Sequence, residues 1–252
     1  MKRGRNRRRI FVIVFNYKML YLGVIFIGLG IATVLLREPF IGTIGIPGGM
    51  VSGKKVVIDP GHGGSDPGAK SPGGLEEKDL NLDVALKLKK YFARVGVYCV
   101  MVREHDCDFS GHGGGASTKK VRDLVYRTNL ANQSRADLFL SIHANSFPDS
   151  YYRGAQTFFN PVRPASKLLA EAIQNQLVKR LGPNRRRARP GDFRVLNETQ
   201  MPGATIEIGF LSNPAETALL SDPAYRERIA EAIFNGVLDF WLNRTSDQET
   251  KP

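Results

Sequence analysis

Two histidines, His62 and His143, close two apolar runs, Val56-Val57-Ile58-Asp59-Pro60-Gly61-His62 and Leu138-Phe139-Leu140-Ser141-Ile142-His143. A neutral imidazole is a metal ligand, and an open α/β sheet gathers its ligands beyond the carboxyl ends of its strands, where two such residues can reach one point. Zinc is the metal this pair suggests first. A hydrolytic zinc site uses three protein ligands and leaves a position for water, so two histidines are one ligand short. Leu75-Glu76-Glu77-Lys78-Asp79-Leu80-Asn81-Leu82 offers carboxylates soon after His62. Acids in a first helical turn are favoured by the helix dipole alone, and a third ligand is the sharper alternative. His105 and His112, in a polar glycine-rich stretch, rank below as ligands. The glycines of Asp59-Pro60-Gly61-His62-Gly63-Gly64 would let backbone pass close to a bound group; a phosphate loop is the lesser reading, because no Gly-Lys-Ser/Thr comes after them.

Glu207 lies inside Ala204-Thr205-Ile206-Glu207-Ile208-Gly209-Phe210, a strand-like apolar run. A buried carboxylate there needs either a cationic partner or a chemical role, and that role would be a general base beside a metal.

The elements that must hold these residues are legible as alternating patterns. Short β-branched or aromatic runs at 56–58, 97–102, 138–142, 155–159, 193–196 and 205–208 read as about six strands. Between them, Leu82, Ala85, Leu86, Lys89 and Phe92 keep helical spacing and stop at Gly96, and Val121, Leu124, Val125 and Thr128 repeat it. A third helix carries Leu168, Leu169, Ala172, Ile173, Gln176 and Leu177, and the last starts with Asp222 as N-cap and Pro223 at N1, presenting Ile229, Ile233, Phe234, Val237 and Trp241. The fold expected is a single α/β domain with a mostly parallel twisted sheet and helices on both faces. His105 to Thr118 and Pro183 to Asp192 read as loops, the second carrying Arg185-Arg186-Arg187-Ala188-Arg189.

Ahead of that domain, residues 19–36 are uncharged and would span about 27 Å as a helix, enough to enter or cross a bilayer. Basic residues precede the stretch, which keeps residues 1–18 cytoplasmic and places the chain beyond Arg37 outside, anchored or secreted. No small-x-small site comes directly after it, so the segment reads as an uncleaved anchor. Residues 37–53 form a linker, 54–243 the domain and 244–252 a polar tail. The formal charge of +12 suggests a nucleic-acid partner, but seven basic residues precede the apolar stretch and the remainder carries 29 basic against 24 acidic groups. Location and charge both exclude that class. Cys99 and Cys107, too few for a disulfide framework, read as a small core residue and a surface thiol.

Over about residues 54–243 the chain resembles the zinc-dependent N-acetylmuramoyl-L-alanine amidases of bacterial cell walls. The likeness rests on four ordered motifs: Ile58-Asp59-Pro60-Gly61-His62-Gly63-Gly64, Glu77-Lys78-Asp79-Leu80-Asn81-Leu82, Ser141-Ile142-His143-Ala144-Asn145 and Ile206-Glu207-Ile208-Gly209-Phe210-Leu211-Ser212-Asn213. The resemblance implies that His62, Glu77 and His143 ligate one Zn2+ per chain, that Glu207 is the catalytic carboxylate and that Asn145 contacts substrate. Glu77 rather than Glu76 matches, being the acid before Lys78. The bond cut would join the lactyl group of muramic acid to L-alanine in peptidoglycan. The membrane-proximal N-terminus, the lack of wall-binding repeats and Gly154-Ala155-Gln156-Thr157-Phe158-Phe159 look most like the sporulation and germination members, which prepare cortex muramic acid for δ-lactam formation; a vegetative autolysin is the alternative setting. The span from Glu104 to Lys120 leaves no room for the occluding helix of some cell-division members, while a protein activator stays open. A silent peptidoglycan-binding protein would not need all four chemical positions, and a zinc aminopeptidase would need ligands for a second metal, which are not evident.

Overall fold

The runs ending in His62 and His143 become two adjacent parallel strands. The computed structural model describes residue 49, residues 51–112 and residues 118–249, the last five as backbone only. Strand β1 (Lys55–Pro60) pairs on one side with β2 (Tyr98–Met101) and on the other with β3 (Leu138–Asn145), both parallel. β3 pairs in parallel with β6 (Gly203–Phe210), which pairs antiparallel with β4 (Gln156–Phe159), and β4 carries the short parallel edge strand β5 (Arg189–Pro190). The order is β2-β1-β3-β6-β4-β5, a six-stranded and mostly parallel sheet. β6 is buried along its whole length, as a central strand covered on both faces must be.

Helices cover both faces. On one side α1 (Glu77–Arg94) packs on β1 and β3, α3 (Pro164–Leu181) packs on β4 and β6, and the long α6 (Pro223–Glu249) packs on both helices. Asp222 caps α6 as the sequence predicts, its carboxylate accepting from Ala224 N–H at 2.9 Å. On the other side α2 (Lys119–Ser134) and α4 (Arg194–Glu198) bring Ala131, Val195 and Leu196 into one apolar cluster with Val57 and Phe139. Side chains alternate along a strand, and register partners share a face. On the α2/α4 face the pairings therefore stack three rows: Val57, Phe139 and Gly203; then Asp59, Ser141 and Thr205; then His143, Glu207 and Gln156. The rows run from apolar through polar to chemical, towards the carboxyl ends of β1, β3 and β6.

Several sequence expectations need correction. Phe193 to Leu196 is not a strand. Leu196 and Asn197 N–H both return to Phe193 C=O, at 2.9 and 3.0 Å, which starts the turn of α4. A run so short carries no period of its own, and the connection from β5 to β6 bends it. The remaining strand is instead Arg189–Pro190, hidden at the end of the arginine run because both residues are exposed at a sheet edge. The buried face of α1 centres on Leu80, Val84, Leu88 and Phe92, with Leu82 and Leu86 only half-buried. Another helix, α5 (Pro214–Ser221), was not foreseen; Asn213 caps it by accepting from Glu216 N–H. Val51 is already buried and Gly53 N–H reaches Gly96 C=O at 2.9 Å, so packing begins inside the expected linker, and α6 runs on into the expected tail. Cys99 and Cys107 are both free and half-buried. The 19–36 segment lies outside the described residues; among the described residues no helix is long and apolar enough to cross a membrane.

Candidate metal centre

Glu77 is the first residue of α1 and is buried, although its carboxylate sits where the helix dipole alone would tolerate an exposed acid. Its Oε1 lies 2.9 Å from His143 Nδ1 and 3.2 Å from His62 Nε2. One ligand atom from each of the three residues falls within 4.8 Å of the others, and among the described residues this is the one such group of metal-binding side chains. Ala144 N–H donates to Oε1 and Ala69 N–H to Oε2, at 3.0 and 2.8 Å, which fixes the carboxylate's orientation. Burial opposes its charge, but hydrogen bonds to His143 and His62 outweigh that and hold Glu77 well below the usual carboxylate range.

His62 sits in the left-handed region, at φ 61°. Its Nδ1 is 2.8 Å from Asp66 Oδ2, while Nε2 faces Glu77. Burial disfavours a charge on this ring, yet Glu77 and then Asp66 override it and raise the His62 pKa. A carboxylate on the far nitrogen of a histidine is the arrangement that orients metal-bound imidazoles. Asp66 was not singled out from the sequence; the signal available was an acid four residues after His62 in the same turn.

Two glycines make room for the clustered side chains. A Cβ at Gly61 would meet the His143 ring at 2.1 Å, and one at Gly68, where φ is +66°, would meet Glu77 Oε2 at 2.5 Å. Gly61 thus makes the space the second imidazole occupies. Gly61→Ala is expected to push His143 aside, lower metal occupancy at least tenfold and cost about 1–3 kcal/mol of stability. Metal analysis after dialysis, beside a denaturant titration, would read both, and unchanged occupancy would rule out the packing argument.

Glu207 is the register partner of His143 across β3 and β6 and is 7 % exposed. Its Oε2 is buried without a hydrogen-bond partner. Burial drives the carboxyl up to about 7, with His143 pulling it back and Glu77 pushing it further. A buried acid with no partner and a pKa near neutrality is equipped to exchange protons. Asn145 ends β3, half-buried, with its C=O taking Leu211 N–H at 2.8 Å. His105 and His112 stay out of the cluster. His112 packs against Tyr126, with ring centroids 4.9 Å apart.

Two buried arginines, also missed from the sequence, hold the loop that carries His62. Arg103 donates to Pro60 and Gly61 C=O, and Arg127 donates to Pro60 and His62 C=O. On a helix or at a strand end an arginine reads as solvated charge, so composition carried no signal for either.

The family model for N-acetylmuramoyl-L-alanine amidase matches residues 56–239. The chain belongs to this amidase family. It is a hydrolase, and its substrate bond is the N-acetylmuramoyl-L-alanine amide of peptidoglycan. The germination-specific N-acetylmuramoyl-L-alanine amidase of Bacillus subtilis is 39 % identical over 202 residues, covering 79 % of this chain and 84 % of that protein. The CwlD amidase of Clostridioides difficile, solved in complex with the GerS lipoprotein, superposes with a TM-score of 0.72 at 36 % identity, covering 75 % of this chain and 99 % of that one. An N-acetylmuramoyl-L-alanine amidase from Clostridium difficile 630 gives a TM-score of 0.66 at 34 % identity, over 75 % of this chain and 97 % of that one. All four motifs of the amidase, and the cluster they build, lie within the matched span.

Proposed function

We propose that this amidase is zinc-dependent, with one ion per chain held by His62, Glu77 and His143, and that it acts outside the cytoplasm in maturation of the spore cortex. The convergence of two imidazole nitrogens and one carboxylate oxygen within 4.8 Å, beside a buried unpartnered carboxyl, carries the reading. The donor set fits: two nitrogens and one oxygen are a usual catalytic zinc triad, Glu77 is held ionised, and Asp66 fixes the ring of His62. A zinc ion there supplies Lewis acidity, polarising a carbonyl and making water nucleophilic near neutral pH.

The protein's own part begins with Glu207. Its carboxylate takes the proton of the attacking water and, once protonated, hands it to the departing alanine nitrogen. The low-dielectric wall of β6 keeps that proton from bulk solvent, and the unpartnered Oε2 is free to bind it. Asn145, at the mouth of β3, is assigned to substrate contact. The germination-specific relative supports the cortex setting, and residues 19–36 support an anchor that holds the domain of residues 54–243 at a membrane surface beyond a 37–53 linker. The relative solved with a lipoprotein makes a protein activator a natural partner to seek.

The test is to incubate the full chain with purified peptidoglycan and titrate newly freed L-alanine amino groups. Chelation is expected to abolish release, stoichiometric zinc to restore it, and metal analysis to return one zinc per chain. Release that persists after the metal is stripped would overturn the zinc reading.

A further inference from the structure

A cavity of about 1010 Å³ opens beside β4, lined by Tyr151, Tyr152, Arg153, Arg185, Arg187 and Arg189 and by no acidic residue. Gln156 also lines it, and Gln156 is the cross-strand partner of Glu207, so the cavity adjoins the catalytic row. The loop that presents the arginines is anchored through its backbone and through the Asn184 side chain. Asn184 donates to Ala155 C=O at 2.7 Å, Gln156 donates to Arg187 C=O at 2.9 Å, and Arg189 is in register with Phe158. Arg186 plays a separate, structural part. It donates to Gln156 Oε1 and to Arg153 C=O, with its guanidinium 4.6 Å above the Phe210 ring. Glu216, the acid whose field reaches Arg153 and Arg186, is already taken up by Gly154 and Phe210 N–H. The side chains of Arg185, Arg187 and Arg189 remain exposed.

Like charges fixed on an anchored loop repel one another, and an anion between them turns that repulsion into attraction. We propose that this groove binds the carboxylates of the peptide stem, on the leaving-group side of the scissile amide. The inference rests on the amidase reading and on Glu207 as the proton donor to the departing nitrogen. A peptide whose first nitrogen leaves at Glu207 extends past Gln156 and enters the cavity. Tyr151 and Tyr152 offer flat apolar surface there for the uncharged parts of the stem.

The experiment measures amine release by the full-length, zinc-loaded protein from a muramoyl-peptide with free stem carboxylates and from the same compound with those carboxylates amidated. Wild type is expected to show a KM about tenfold higher on the amidated compound, with kcat little changed. The variant Arg185→Gln/Arg187→Gln/Arg189→Gln is expected to show that higher KM on the free compound and no further rise on amidation, with an unaltered melting temperature because all three side chains are exposed. Equal treatment of the two compounds by wild type, which needs no variant to observe, would refute the groove assignment while leaving the amidase standing. A variant that keeps the carboxylate preference would do the same. No amine from either compound would overturn the amidase reading and this proposal together.

Discussion

Glu207→Gln is expected to lower turnover by about a hundredfold or more, keep the metal, and make the metal-free protein more stable above neutral pH. The kinetic part comes from removing a group that both accepts and returns a proton, since a positioned acid–base is worth about 10²–10⁴-fold. The side chain is not one of the three clustered ligands, so zinc content should be unchanged. The stability part has a definite sign. Burial raises the folded-state pKa of Glu207 from 4.5 to about 7. Below 4.5 the carboxyl is neutral in folded and unfolded chains alike, and it costs nothing. Between 4.5 and 7 the folded chain binds more protons than the unfolded one, so stability falls as pH rises, and above 7 the full cost of about 3 kcal/mol is present. Glutamine, neutral throughout, escapes it. Urea titrations of the chelated protein at pH 5 and pH 8 should therefore show little difference between variant and wild type at the lower pH and a clear gain at the higher. Near-wild-type turnover would sink the catalytic role, and the absence of any gain at pH 8 would show that the carboxylate is solvated or paired.

That cost also shows which parts of the site a sequence can reveal. His62 and His143 stood out because each closes an apolar run and Glu207 because it interrupts one, and a polar group with no local reason to be there is informative. The register of the sheet then does the rest: three strands paired in phase bring His143 and Glu207 into one row without any contact that sequence could announce. Glu77 was readable as a candidate third ligand, an acid at a helix start that the motif before Lys78 singles out, but its burial was not, because that depends on how α1 crosses the end of β3. Asp66 and Gly61 act through space alone. The first holds the outer nitrogen of His62 and the second yields volume to His143, and neither function has a spacing. The same limit explains the strands. β3 and β6, buried on both faces, carry continuous apolar runs and were found, although their ends reach further than expected. β5, two exposed residues held by β4, has no pattern, so its place in the sheet was assigned to Phe193–Leu196, whose apolar side chains instead serve the cluster under α4.

Arg127→Met is expected to destabilise the protein by about 3–5 kcal/mol, and the partner change Asp59→Asn should restore part of it. Arg127 is 1 % exposed in the middle of α2, a position where its residue type promises solvent. Its Nη1 donates to Asp59 Oδ1 at 2.6 Å and its Nε to Asp123 Oδ2 at 2.6 Å. Desolvation alone would favour the neutral form, yet Asp59 and Asp123 outweigh it and keep the guanidinium charged. Asp59 is equally buried, and Ser141 Oγ is its other hydrogen-bond donor. Methionine can fill the space but leaves Asp59 without its cation inside the polar row, and it also frees the C=O of His62 and leaves that of Pro60 to Arg103 alone. In the double variant the Asp59 ion is gone, so the weakened carbonyl contacts, the lost packing and Asp123 without its cation still weigh against folding. The His62 loop, still gripped by Arg103, should then bind zinc more weakly than wild type but better than in Arg127→Met. Denaturant titrations of the four proteins in this cycle, with zinc affinity measured on each, separate the two effects. A single variant within about 1 kcal/mol of wild type, or a double variant no more stable than Arg127→Met, would mean that the Arg127–Asp59 pair does not hold the floor of the site.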